Sequence, residues 1–136
     1  MKYNFLLLCL SILLLSCQRD DRIKGIWVRQ GDLFAGIKVE VKKTGEIVNG
    51  TIVSCPDSLL SYGITLNDVK WKGIKKLEGN NYEFEDLGKS VDYNGNIIST
   101  RYSLARLLIE NDTIKIRLYV KGDEQIGTEQ IWIRAK

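Results

Sequence analysis

From residue 25 onward, apolar and polar side chains alternate with a period of two over long stretches of the chain. Ile37, Val39 and Val41 alternate with Lys38, Glu40 and Lys42, and Ile114, Ile116, Leu118 and Val120 alternate with Lys115, Arg117, Tyr119 and Lys121. Successive side chains on a strand point to opposite faces, so this pattern predicts half-buried antiparallel strands. Turn-forming clusters separate the runs: Thr44-Gly45, Asn49-Gly50, Gly79-Asn80-Asn81, Asn94-Gly95 and Lys121-Gly122-Asp123. Their spacing suits hairpins, with Asn49-Gly50 alternatively a bulge inside a strand. Seven or eight strands fit between Gly25 and Arg134. With no alternation of strands and helices, the expected class is all-β: a small antiparallel barrel or sandwich of about eight strands, in which closure removes exposed edges. Two segments depart from the period. Pro56-Asp57 followed by Leu59, Leu60, Tyr62 and Gly63 predicts one short helix or 3₁₀ turn near residues 56–62. Ser103 to Ile109 holds good helix formers, but the turn at Asn111-Asp112 into the clear strand from Thr113 favours strand.

The N-terminal segment follows a different pattern. Lys2 is a short basic region, and Phe5 to Leu15 is an apolar run broken only by Ser11. That is about half the ~20 residues needed to span a bilayer as a helix, and it has the build of a secretory signal core. The run ends in Leu14-Leu15-Ser16-Cys17, which resembles the lipobox of bacterial lipoproteins. The resemblance implies cleavage before Cys17 and acylation of its thiol, so that acyl chains tie the protein to the membrane. Gln18-Arg19-Asp20-Asp21 is similar to the short acidic export signal of Bacteroidetes-type surface lipoproteins; the alternative is a solvated linker. The implied organisation is a signal peptide over residues 1–16, a lipidated tether over 17–23 and a β-barrel domain over 24–136. The implied address is the outer membrane, exposed at the cell surface, with the periplasmic leaflet as the alternative.

Composition narrows the chemistry. Of 136 residues, 44% are hydrophobic and 27% charged, ordinary material for one globular domain. The formal charge of +3 is too small and dispersed to point to nucleic acid as a partner. The chain has no His, which removes His-based triads, His general bases and the commonest zinc and iron ligand sets. No cofactor and no metal site is expected. Of three Cys, Cys9 leaves with the signal and Cys17 becomes a thioether, so Cys55 stands alone and no internal disulfide forms.

Several short motifs carry a family resemblance. Gly25-Ile26-Trp27 opens the first strand and Trp132-Ile133-Arg134 closes the last. Together they resemble the G-x-W start and W-x-R end of small exported lipocalin-like bacterial proteins, a largely uncharacterised family. Pro56-Asp57 with Gly63 is similar to that family's Asn-Pro-Asp loop, with Cys55 in place of the Asn. Tyr102-Ser103 through Asp112 to Tyr119 resembles its paired strands, with Leu118 where the family tends to have Gly. Gly127 to Trp132 resembles its final strand, while Val69-Lys70-Trp71-Lys72-Gly73 replaces a glycine-rich middle. The resemblance implies a calycin-type barrel in which Trp27 plugs one end and Arg134 lies over its indole. Gly25, Trp27 and Arg134 would then be closure residues. Parity leaves a conflict, because Ile131 and Ile133 share one face of the last strand while Trp132 and Arg134 share the other.

The candidate chemistry follows from these elements. A barrel of this type suits a small apolar or amphipathic ligand held in or at its mouth, with Leu59, Leu60 and Tyr62 either as a lid or as a cap on the core, and Trp71 as a further contact. The alternative is a tethered interaction module that binds another envelope protein or a host macromolecule through its outer face. Lys70, Lys72, Lys75 and Lys76 around Trp71 form either a basic aromatic patch or an ordinary charged strand surface. An enzyme would have to use Cys55, which has no evident base, or the pair Glu83 and Glu85. That pair lies on one strand face at a spacing of roughly 6–7 Å, which alternation alone also explains. The expected activity is noncatalytic binding.

Overall fold

A computed structural model describes residues 22–119 and 124–136. It contains eight strands in chain order: β1 (Gly25–Gln30), β2 (Lys38–Thr44), β3 (Ile47–Ser54), β4 (Val69–Lys76), β5 (Asn81–Val91), β6 (Ile97–Glu110), β7 (Thr113–Tyr119) and β8 (Gln125–Arg134). Each pairs antiparallel with its successor, and β1 pairs with β8, so the sheet closes into an up-and-down barrel. The all-β expectation is met, including the 3₁₀ helix, Asp57–Tyr62, between β3 and β4. Ser103 to Ile109 lies within β6. Asn49-Gly50 lies inside β3, beside a register shift in its pairing with β4. Position 50 needs a glycine for space: a Cβ there would stand 2.8 Å from Val39 Cγ1 and 2.9 Å from Trp71 Cε3. The Lys121-Gly122-Asp123 turn, Cys17 and the Gln18 to Asp21 segment lie outside the described residues.

Alternation sends one side chain in two into the barrel. Val39 and Val41 on β2, Tyr82 and Phe84 on β5, Ala105, Leu107 and Ile109 on β6, and Ile114 and Ile116 on β7 are all buried. Three indoles lie inside, Trp71 and Trp132 together and Trp27 toward one end. Trp27, Trp71 and Trp132 are each 0% exposed, and the Trp71 and Trp132 rings meet edge to face with centroids 4.9 Å apart. The parity conflict on β8 resolves in favour of Trp132, which enters the core with Gln130 behind it, while Ile133 is 42% exposed. The reason lies in the register. Trp27 on β1 pairs with Arg134 and Arg29 pairs with Trp132, so an inward Trp27 carries Arg134 and Trp132 inward with it.

The two ends of the barrel differ. At one end the chain enters through Ile23, counted above with the tether, which is 3% exposed and packs into the core. Trp27 Nε1 donates to Ile23 O at 2.8 Å, and the Arg134 guanidinium lies 4.2 Å from the Trp27 ring centroid. Arg134 also donates to Lys24 O at 2.7 Å, to Arg22 O and to Asp112 Oδ1 at 3.2 Å, so that end is plugged. Gly25 makes room for this lock: its φ is +122°, and a Cβ would stand 2.9 Å from Arg134 Nη1. The other end carries the β1–β2 loop, the 3₁₀ helix and the β5–β6 turn, and it is open.

Candidate binding cavity at the open end

A cavity of about 200 Å³ occupies the open end. Its apolar wall comes from Ile37, Ile52, Phe34, Tyr62, Ile64 and Leu87, and its polar lining from Arg29, Lys70, Asp86, Gln130, Asp68 and Lys89. The Trp cluster blocks any extension down the barrel axis. The volume is below the roughly 300–1,000 Å³ of pockets that enclose drug-sized ligands, so the space suits a small molecule.

Four polar residues of the cavity lining are buried inside the barrel, three of them by strand phase and Lys70 by a bulge. Arg29 follows Trp27 on β1, Asp86 follows Tyr82 and Phe84 on β5, and Gln130 precedes Trp132 on β8 at the same parity. Lys70 sits next to Trp71 on β4, yet both are buried. The cause is a bulge: Gly50 pairs with Trp71 and Thr51 with Val69, which leaves Lys70 as the extra residue and turns it inward.

Each cation of the cavity has an acid. Arg29 holds Asp32 in a two-nitrogen grip, Nε at 2.9 Å and Nη2 at 2.7 Å from Oδ2, and its guanidinium lies over the rings of Phe34 and Trp132 at 5.2 and 5.6 Å. Lys89 pairs with Asp68. Lys70 Nζ donates to Leu87 O at 2.6 Å and stands 2.7 Å from Asp86 Oδ1. That last contact has ion-pair distance without hydrogen-bond alignment, so Asp86 Oδ1 is buried with no hydrogen-bond partner. Gln130 Oε1 accepts from Trp132 Nε1 at 3.3 Å, which leaves its amide nitrogen to donate. Trp71 Nε1 is also buried with no partner.

The residues singled out in the sequence fall in different places. Tyr62 lines the cavity and meets Phe34 edge to face at 5.7 Å, forming the rim. Leu59 packs into the core at 4% exposure, and Leu60 points outward at 50%; neither lines the cavity. Trp71, read from the sequence as a ligand contact, is core, because it stays in register between Gly50 and the inward Asp86 and packs on Trp132. The basic patch is dispersed: Lys70 turns inward, and Lys72 pairs with Glu85 at 3.8 Å and lies 4.8 Å from the Tyr102 ring. Glu83 pairs with Arg106 at 3.4 Å, so the two glutamates face neighbouring cations on the outer surface. Burial, and then the charge of Asp57, push the Cys55 thiol up, away from the thiolate a nucleophile needs. Among the described residues no group of His, Cys, Asp and Glu is arranged to hold a metal.

Alternation could have found Arg29, Asp86 and Gln130, since each is a polar residue in phase with a buried aromatic. Nothing in the sequence pattern marks Lys70, because a bulge breaks its phase. Removing one partner of the Lys70–Asp86 pair leaves a buried charge, which in a dry site costs about 3–5 kcal/mol. Water can enter this cavity, so Lys70→Ala should destabilise the protein by about 2 kcal/mol in urea unfolding. A loss below about 0.5 kcal/mol would show that the pair is solvated.

Comparison of the chain with family models, with curated proteins and with solved structures gives no significant match in any of the three. The functional reading accordingly rests on the cavity and on the motifs of the chain itself.

Proposed function

We propose that this chain is a lipid-anchored envelope protein whose barrel binds a small amphipathic ligand at its open end without transforming it. The observation that carries the reading is the cavity itself, an apolar wall facing buried polar groups at the one end that is not plugged. The anchor rests on the apolar run from Phe5 to Leu15 and on Cys17 at its boundary. Together with Gln18 to Asp21, these support an address at the outer membrane, on the cell-surface side, with the periplasmic leaflet as the alternative. The G-x-W and W-x-R motifs support a lipocalin-like kinship, because Gly25, Trp27 and Arg134 act together in closing one end and leave the other free. A second reading, a tethered interaction module, is favoured by the exposed side chains of Tyr93, Ile97 and Ile98 around the β5–β6 turn.

Benzyl alcohol, which joins a ring to one hydroxyl, matches the cavity in size and character. Added to the full chain in detergent, it should shift the methyl resonances of Ile37, Ile52 and Leu87 in a saturable way. The dissociation constant should be on the order of millimolar, as expected for so few atoms. Tyr62→Ala should change the affinity while leaving the unfolding midpoint nearly unchanged. If those methyls do not move while Tyr93 does, the interaction module takes precedence.

A further inference from the structure

We propose that the cavity selects an uncharged ligand bearing an N–H or O–H donor beside an acceptor, with a primary carboxamide as the best match, over acids and amines. This rests on the cavity being a ligand site, and it specifies the head group from the charges and open valences around it.

The charge balance excludes a net ion. The cavity lining and its immediate partners contain three cations and three acids: Arg29 with Asp32, Lys70 with Asp86 and Lys89 with Asp68. A carboxylate entering the cavity would find each of these cations already compensated and Asp86 among its neighbours. An ammonium would meet Lys70, whose charge Asp86 already balances. In a partly desolvated space either ion keeps its desolvation cost without a matching counter-charge.

The open valences favour a donor with an acceptor beside it. Asp86 is 3% exposed and lines the cavity, and its Oδ1 meets the Lys70 ammonium at 2.7 Å without good hydrogen-bond alignment. A carboxylate oxygen accepts from two directions, so the Asp86 carboxylate can take a ligand N–H in addition to the Lys70 contact. Donors stand ready for the acceptor side. An ammonium has three N–H groups; Lys70 directs one to Leu87 O and one toward Asp86, which leaves a third. The Gln130 amide nitrogen is a further donor, since its oxygen is occupied by Trp132. A primary amide presents two N–H donors and one carbonyl acceptor in one plane and carries no charge. The apolar remainder of such a ligand would lie against Ile37, Ile52 and Leu87.

Four probes of one shape separate the alternatives: toluene, benzamide, benzoate and benzylammonium, each titrated into the full chain in detergent with the Ile37, Ile52 and Leu87 methyls as reporters. Benzamide should bind at least about tenfold more tightly than the other three, the effect of one charge-assisted hydrogen bond. The double variant Lys70→Met with Asp86→Leu replaces the ion pair by apolar groups of similar size, a change that buried pairs generally tolerate. It should lose the preference for benzamide over toluene. Benzoate or benzylammonium ranking first, or benzamide no tighter than toluene, overturns the head-group assignment and leaves the cavity as a ligand site. If none of the four, nor benzyl alcohol, reaches the reporter methyls, the ligand site itself is overturned. Should the double variant fail to fold, the ranking of the four probes on the unaltered protein decides the matter.

Discussion

Trp27→Ala should lower the unfolding free energy by about 4–5 kcal/mol, the upper part of the range for truncating a buried Trp. Trp27 is completely buried, and its loss leaves a void at the plugged end of the barrel. Two further interactions go with it. The indole N–H holds Ile23 O at 2.8 Å, which fixes the entering chain, and the ring carries the Arg134 guanidinium at 4.2 Å. A cation–π contact of this kind contributes about 0.5–2 kcal/mol, depending on how far the cation is desolvated. Arg134 in turn ties Lys24 and Arg22 to the last strand, so the variant should fray residues 22–24 as well as soften the β1–β8 seam. Equilibrium unfolding in urea measures the loss, and hydrogen exchange at the amides of β1 and β8 localises it. A change below about 1 kcal/mol would mean that the plug contributes little and that closure rests on the sheet alone. Trp27→Phe, which keeps a ring under Arg134 but removes the N–H, should recover more than half of the loss.

Cys17→Ser should abolish fatty-acid labelling and release the protein from the membrane fraction. The thioether and the new amino group would together carry two or three acyl chains, and each buried CH₂ contributes about 0.8 kcal/mol to membrane attachment. No other Cys lies at the boundary between the apolar run and polar chain: Cys9 is inside the run and Cys55 follows β3 in the barrel. Residual labelling of the Ser variant would refute the assignment of the anchor to this residue. Replacing Arg19, Asp20 and Asp21 together with Ala should leave labelling intact and remove protease accessibility on whole cells, if the segment acts as an export address.

Much of the barrel is legible along the chain because the period-two signal is local. Val39 and Val41, or Ile114 and Ile116, declare their face through their immediate neighbours, and the turn residues between runs mark where each hairpin reverses. The polar lining of the cavity is legible only in part. Arg29, Asp86 and Gln130 keep phase with buried aromatics, but a charged residue at an inward position reads as a pattern error until the barrel shows an opening beside it. Leu59 and Trp71 are hard to place along the chain for a related reason. An apolar residue in a short nonstrand segment, or an aromatic among lysines, carries no local sign of whether core or solvent lies next to it.

What the sequence by itself determined is the class of structure: strands, turns and the short 3₁₀ helix all follow from spacings of a few residues. Closure, plugging and the cavity were decided by tertiary structure, because each depends on residues far apart in the chain meeting in one register. Trp27 meets Arg134 across the β1–β8 seam, and the parity of the whole last strand follows from that pairing. Lys70 faces Asp86 only because a bulge opposite Gly50 turns one extra residue inward, and Gly50 permits it only because Trp71 packs where its side chain would have been. Periodicity records which side of a strand a residue lies on. The closed sheet decides what lies on that side, filling it with Trp71 and Trp132, plugging one end with Trp27 and leaving the other open.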